Sequence, residues 1–251
     1  MATGVHQGDS PVLDGDGTRY LTYSGTRGDE SPVSIFRLRQ DAYREPFVTG
    51  LTNPTSMALH PDGQLFVSSR FDGAVYAVDE SGKIAQVAAD LGVACGLAFG
   101  ADGRLYVGDR SGTVFEIDTA GKVRRFASLP PSVAAFHLAM APDGVLFATA
   151  PTMSTRDAVY AIDPHGEVSI VCRTFGRPQG MGVDAHGALH VVEALAGASG
   201  LYRLIADGET EQVVAASSLV GVAFDDAGGA VVVSGDTAYR FDRLPRSSHA
   251  A

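Results

Sequence analysis

The chain has no tryptophan, only two cysteines among its 251 residues, and no segment approaching the length of a membrane helix. Each absence removes a class of protein. Cys95 and Cys172 offer no disulfide framework and no CxxC pair. A spanning helix needs about 20 apolar residues, which no segment supplies. The first ten residues, MATGVHQGDS, lack the apolar stretch of a secretory signal. The expectation is a cytoplasmic protein, although a secreted form with its leader removed would look identical. Basic charge is also scarce. Nineteen Lys and Arg face 29 Asp and Glu, a net charge of −10, which opposes nonspecific attraction to nucleic acid and to anionic membranes. The expected partner is a small molecule. No GxSxG, HExxH, EF-hand or phosphate-loop pattern is present.

What the chain has is repetition. An apolar strand, a tight glycine turn and a second apolar strand recur six times, at Asp16-Gly17, Asp62-Gly63, Asp102-Gly103, Asp143-Gly144, His186-Gly187 and Ala227-Gly228. Successive glycines lie 46, 40, 41, 43 and 41 residues apart. Short strands with hairpin turns and no helical periodicity argue for an all-β chain. A repeat of this length is one propeller blade of four strands. The sequence therefore predicts a single six-bladed β-propeller of four-stranded antiparallel blades over residues 1–245, with 246–251 as a short tail.

The second repeat sets the pattern: Ser56–Leu59 inner, Leu65–Ser68 returning, Ala74–Val78 third and Ile84–Ala88 outer. In the first repeat, Pro11-Val12-Leu13 is the inner strand, Val33 to Leu38 the third, and Pro46-Phe47-Val48 begins the outer one. The sixth repeat ends after its third strand. Residues near Thr3 to His6 either supply the missing strand, closing the ring and covering a sheet edge, or fray.

A propeller gathers equivalent residues around one channel. Inner strands start at Asp9, Thr55, Cys95, Phe136, Gln179 and Val220, with His137 following Phe136. Second strands end on the same face at Tyr23, Ser69, Asp109, Ala150, Glu193 and Ser234, followed by Arg70 and Arg110 in blades two and three. Blades one, four and five insert longer loops there, where binding residues usually lie.

The polar residues of this mouth are the candidates. His137, Asp109 and Glu193 are the candidate catalytic groups. His137 serves as base or ligand, or packs beside Phe136. The two carboxylates hold a divalent cation, divide acid and base roles, or pair with arginines such as Arg70 and Arg110. Arg27, Arg70 and Arg110 suit an anionic ligand through paired hydrogen bonds, or bridge the blades. Tyr23, Gln179 and Ser69 complete the candidate substrate contacts. Cys95 is a nucleophile or a buried inert thiol.

The repeats Pro54 to Gly73, Gly96 to Gly112 and Pro178 to Glu193 resemble the six-bladed superfamily of gluconolactonases and senescence marker protein, and equally NHL-repeat propellers. That resemblance implies hydrolysis of a lactone or ester, assisted by one divalent metal held by a glutamate, two asparagines and an aspartate. By motif these positions fall on Asp9, Cys95, Gln179 and Phe136, so Asp9, Cys95 and Gln179 are the candidate metal ligands. One of the four keeps a carboxylate. Oxygen donors suit calcium or magnesium, and Cys and His suit zinc. A noncatalytic ligand- or protein-binding propeller is the competing class. His137 and Glu193 are also reminiscent of the virginiamycin B lyase group, although its Trp-Phe-Thr-Glu phrase cannot occur here.

Overall fold

The structure is a computed structural model that describes residues 2–3, 10–39, 43–134, 136–205 and 208–245. Its strands form six four-stranded antiparallel sheets, one per repeat. Blade one is Val12–Leu13, Arg19–Thr22, Ile35–Leu38 and Arg44–Val48. Blade two is Pro54–Leu59, Leu65–Ser69, Ala74–Val78 and Ile84–Ala88. Blade three is Ala94–Phe99, Leu105–Asp109, Thr113–Ile117 and Val123–Ser128. Blade four is His137–Met140, Leu146–Thr149, Asp157–Ile162 and Val168–Phe175. Blade five is Pro178–Val183, Leu189–Glu193, Gly200–Leu204 and Thr210–Ala215.

Blade six takes Leu219–Phe224, Ala230–Ser234 and Thr237–Phe241 from the C-terminal end. Its fourth strand is Ala2–Thr3, which pairs Ala2 with Ala238 and Thr3 with Thr237. The ring is closed by both ends of the chain, with the closing strand beginning earlier than the sequence predicts. Residues 4–9 and 246–251 lie outside the described residues. A second correction concerns blade one. Its outer strand starts at Arg44, so Pro46-Phe47-Val48 ends that strand instead of beginning it.

The turns explain the repeat. All six repeat glycines have φ between 80° and 92°, a region open to glycine at no Cβ cost. At Gly63 the amide donates to the His60 carbonyl at 2.8 Å, while Asp62 Oδ1 accepts from Gln64 N. Asp16, Asp102 and Asp143 repeat that side-chain bond. On the same face, Asp79, Asp118 and Asp163 each take two backbone N–H groups of the next hairpin. The hydrogen bond from the Ser81 hydroxyl lowers the Asp79 carboxyl, and that from Glu167 N lowers Asp163. Much of the chain's acidity thus caps turns.

Alternation along the strands splits the core between blades. In the second strand of blade two, Leu65 and Val67 join Val12, Ile35 and Val48 of blade one, whereas Phe66 packs on Leu97 and Leu105 of blade three. Each of the six blade boundaries holds one such apolar cluster. Truncating a fully buried member such as Leu21 or Ile35 to alanine would cost about 2–5 kcal/mol. This rigid ring positions the two faces of the channel.

Candidate functional site at the channel mouth

The ends of the second strands hold the mouth loops in place. Glu193 is buried, and its carboxylate accepts Gly176 N at 2.6 Å, Arg177 N at 2.9 Å and Leu195 N at 2.7 Å. Two of those donors lie on the segment arriving from blade four. Asp109 does the equivalent in blade three: Oδ1 accepts Val93 N at 2.8 Å, and Oδ2 accepts the Ser111 hydroxyl. Ser69 donates to the Thr52 carbonyl and to Asp72 Oδ2. Ser234 accepts Thr237 N in its own loop. Among the described residues, neither Asp109 nor Glu193 forms an ion pair with Arg70 or Arg110.

The inner strands approach one another closely below these loops. Ser68 Oγ donates to the Cys95 carbonyl of the next blade, and Thr149 Oγ1 donates to the Gln179 carbonyl. In blade three the corresponding position is Gly108, and the Phe136 ring occupies the space. A Cβ on Gly108 would lie 2.3 Å from that ring. One residue further along the inner strands stand Ser10, Ser56, Gly96, His137, Gly180 and Gly221. Small residues are required where strands nearly touch. A Cβ on Gly96 would lie 2.6 Å from the Phe136 carbonyl, and one on Gly180 2.6 Å from the Val220 carbonyl. Ser56 Oγ accepts Leu97 N of the next blade and lies 3.3 Å from Ser10 Oγ.

His137 is the large exception at this level. It opens the inner strand of blade four, opposite Thr149, and is buried. Burial pushes its imidazole down to about 4, against an opposing contribution from the Gln179 side chain. The ring is therefore neutral at pH 7. Its Nε2 has no hydrogen-bond partner among the described residues. A neutral buried imidazole with one uncommitted nitrogen can exchange a hydrogen bond, and its lowered value makes it a weaker base than an exposed histidine.

Arg70 and Arg110 leave the mouth from equivalent positions in adjacent blades, and their backbone amides donate to Asn53 and Val93 carbonyls. Arg110 Nη2 donates to the Val133 carbonyl at 2.8 Å, and its buried Nε has no partner among the described residues. Arg27 is exposed on the blade-one loop. That loop is organised by Asn53, which the sequence reading missed. Asn53 is buried with φ 47°, donates to the Ser24 and Thr26 carbonyls, and accepts Gly28 N at 2.7 Å. Its signal is an asparagine, tolerant of positive φ, just before an inner-strand proline. Tyr23 is half-buried beside Gly25 of the same loop.

Cys95 is buried, and desolvation pushes its thiol up to about 11, opposed by the Phe136 backbone and then by the charges of Arg110 and Arg70. The structure thus brings Cys95 together with Asp109, Arg70 and Arg110, and His137 together with Gln179. The Phe136-His137 peptide joins the two groups. These positions do not fit an oxygen-ligated metal. A protonated thiol, a phenyl ring and an amide set against His137 stand at the three described positions to which the resemblance assigns metal ligands. Asp9 lies outside the described residues, and the described residues contain no cluster of three metal-ligating side chains.

The opposite face has cavities but different chemistry. One of about 580 Å³ lies between blades six and one, lined by Leu13, Asp14, Asp16, Phe224, Asp225 and Arg240. Asp14 is raised to about 6 by burial and by its bond to Asp16, which is lowered to about 2. His190, also missed by the sequence reading, is buried on this side against Phe224, with ring centroids 4.7 Å apart.

No protein-family model and no curated protein matches the chain. Solved structures do. A gluconolactonase from Xanthomonas campestris has 16% identity and a TM-score of 0.79, over 98% of this chain and 87% of that one. A second structure described as a gluconolactonase has 16% identity and a TM-score of 0.75, over 98% and 92%. Virginiamycin B lyase from Staphylococcus aureus has 14% identity and a TM-score of 0.66, over 96% and 86%. At these identities the likeness is one of fold: the chain is a six-bladed β-propeller of the architecture shared by gluconolactonases and related propellers.

Proposed function

We propose that this chain is a ligand-binding propeller that takes a small molecule at the channel mouth. One observation carries the reading: the two candidate catalytic carboxylates, Asp109 and Glu193, both among the described residues, are spent on backbone N–H and hydroxyl donors. A carboxylate with two or three such bonds holds loops in register. The other polar side chains at the mouth include Arg27, Arg70, Arg110 and Gln179, a set that recognises more readily than it transforms.

A second reading, hydrolysis of a lactone or ester, is favoured by His137 Nε2 alone. There the imidazole would accept a proton from water, and an arginine would stabilise the developing oxyanion. The lyase likeness adds no separate group, because His137 and Glu193 would have to carry it.

The test pairs binding with turnover. Calorimetric titration of the purified chain with small hydroxy acids and their lactones is expected to show saturable binding, while a pH-stat shows no hydrolysis. Turnover abolished by His137→Ala would replace the first reading with the second.

A further inference from the structure

We infer that the mouth ligand carries an oxyanion, a carboxylate or a phosphate, seated between Arg70 and Arg110. The inference rests on the ligand-binding reading and adds the chemical class of the ligand.

The two arginines occupy the same position in neighbouring blades, one residue past the second strand, and their amides are fixed by matching bonds to the Asn53 and Val93 carbonyls. Their backbones are thus presented alike by a rigid ring. Both charges act on the same buried thiol, Cys95, at the start of the inner strand of blade three. Neither guanidinium has a carboxylate partner among the described residues, although acidic residues outnumber basic ones in the chain.

The acids flanking these arginines in the chain, Asp72 and Asp109, are already engaged. Asp72 accepts the Ser69 and Tyr76 hydroxyls, and Asp109 accepts Val93 N and Ser111. Arg110 is anchored through Nη2 on Val133, and its buried Nε has no hydrogen-bond partner among the described residues. Two guanidiniums supply paired, planar donors that match carboxylate or phosphate, which a lysine at either place would not.

The test uses the full chain and two probes, inorganic phosphate and succinate, in calorimetric titrations of the native protein and of Arg70→Ala, Arg110→Ala and Arg104→Ala. Arg104 lies on the turn face and serves as the control for general charge loss. Saturable binding of either probe is expected, weakened about tenfold or more by each mouth variant and unchanged in Arg104→Ala. Preference for one probe names the source of the oxyanion. Equal weakening in all three variants would reduce the effect to surface charge and overturn the inference. Binding of a neutral lactone at the mouth without binding of either anion would overturn the oxyanion while leaving the ligand-binding reading intact. Absence of all three interactions would overturn both.

Discussion

Thr149 and Gln179 are tied across the boundary between blades four and five, the Thr149 hydroxyl donating to the Gln179 carbonyl at 2.8 Å. Ser68 makes the equivalent bond to Cys95 between blades two and three. These bonds fix the inner strands that carry the candidate ligand contacts. Thr149→Val keeps the shape and removes the donor, leaving a partly buried carbonyl unsatisfied. It is expected to lower unfolding free energy by about 1–3 kcal/mol, read by urea denaturation. Ser68→Ala is expected to act likewise, and the two effects to add, because the boundaries are separate.

His137 gives the structure a pH dependence of defined sign. Its folded value of about 4 lies below the ordinary 6.5, so the unfolded chain binds the proton first. Stability is present above about pH 6.5 and falls as pH drops toward 4, by about 3 kcal/mol at most from this residue. Asp14, raised to about 6, acts oppositely: its folded state holds the proton, so its contribution is full below about 3.8 and is lost as pH rises through 6. His137→Gln is therefore expected to flatten the decline in denaturant midpoint between pH 6.5 and 4. An unchanged slope would show that the buried imidazole does not control it.

Glu193 and Asp109 are expected to behave as structural clamps. Glu193→Ala strands three backbone N–H groups and should cost about 2–4 kcal/mol in thermal or urea unfolding. Asp109→Asn retains one acceptor oxygen and should cost less. If either variant removed an activity while leaving unfolding unchanged, the clamp assignment would be wrong.

Asn53 should control the blade-one loop. Asn53→Asp turns two donated bonds into contacts between a carboxylate and the Ser24 and Thr26 carbonyls, so it is expected to be worse than Asn53→Ala. Limited proteolysis should cleave the variant within residues 24–32 faster than the native chain.

The fold was legible in the sequence because its determinants are local. A glycine at positive φ writes a turn, in four cases just after an aspartate, and six such glycine turns at one period write six blades. Strand limits were less legible. The outer strand of blade one includes Arg44 and Glu45, whose polarity hides a strand held by cross-strand pairing with Leu38 and Arg37. The site was legible in position and not in role. A carboxylate at a strand end reads the same whether it meets a ligand or the amides of Gly176 and Arg177, and those amides arrive from another blade. His137 was visible as the odd residue in a ring of glycine and serine, but its lost basicity comes from burial by neighbouring blades.

The central claim, that the mouth and not the turn face receives the ligand, is tested most directly by amide chemical-shift mapping with succinate and phosphate. Saturating shifts are expected, confined to the amides around Arg70, Arg110 and Gln179. Shifts confined to Asp14–Thr18 and Asp225–Gly229, around the acidic cavity, would contradict it.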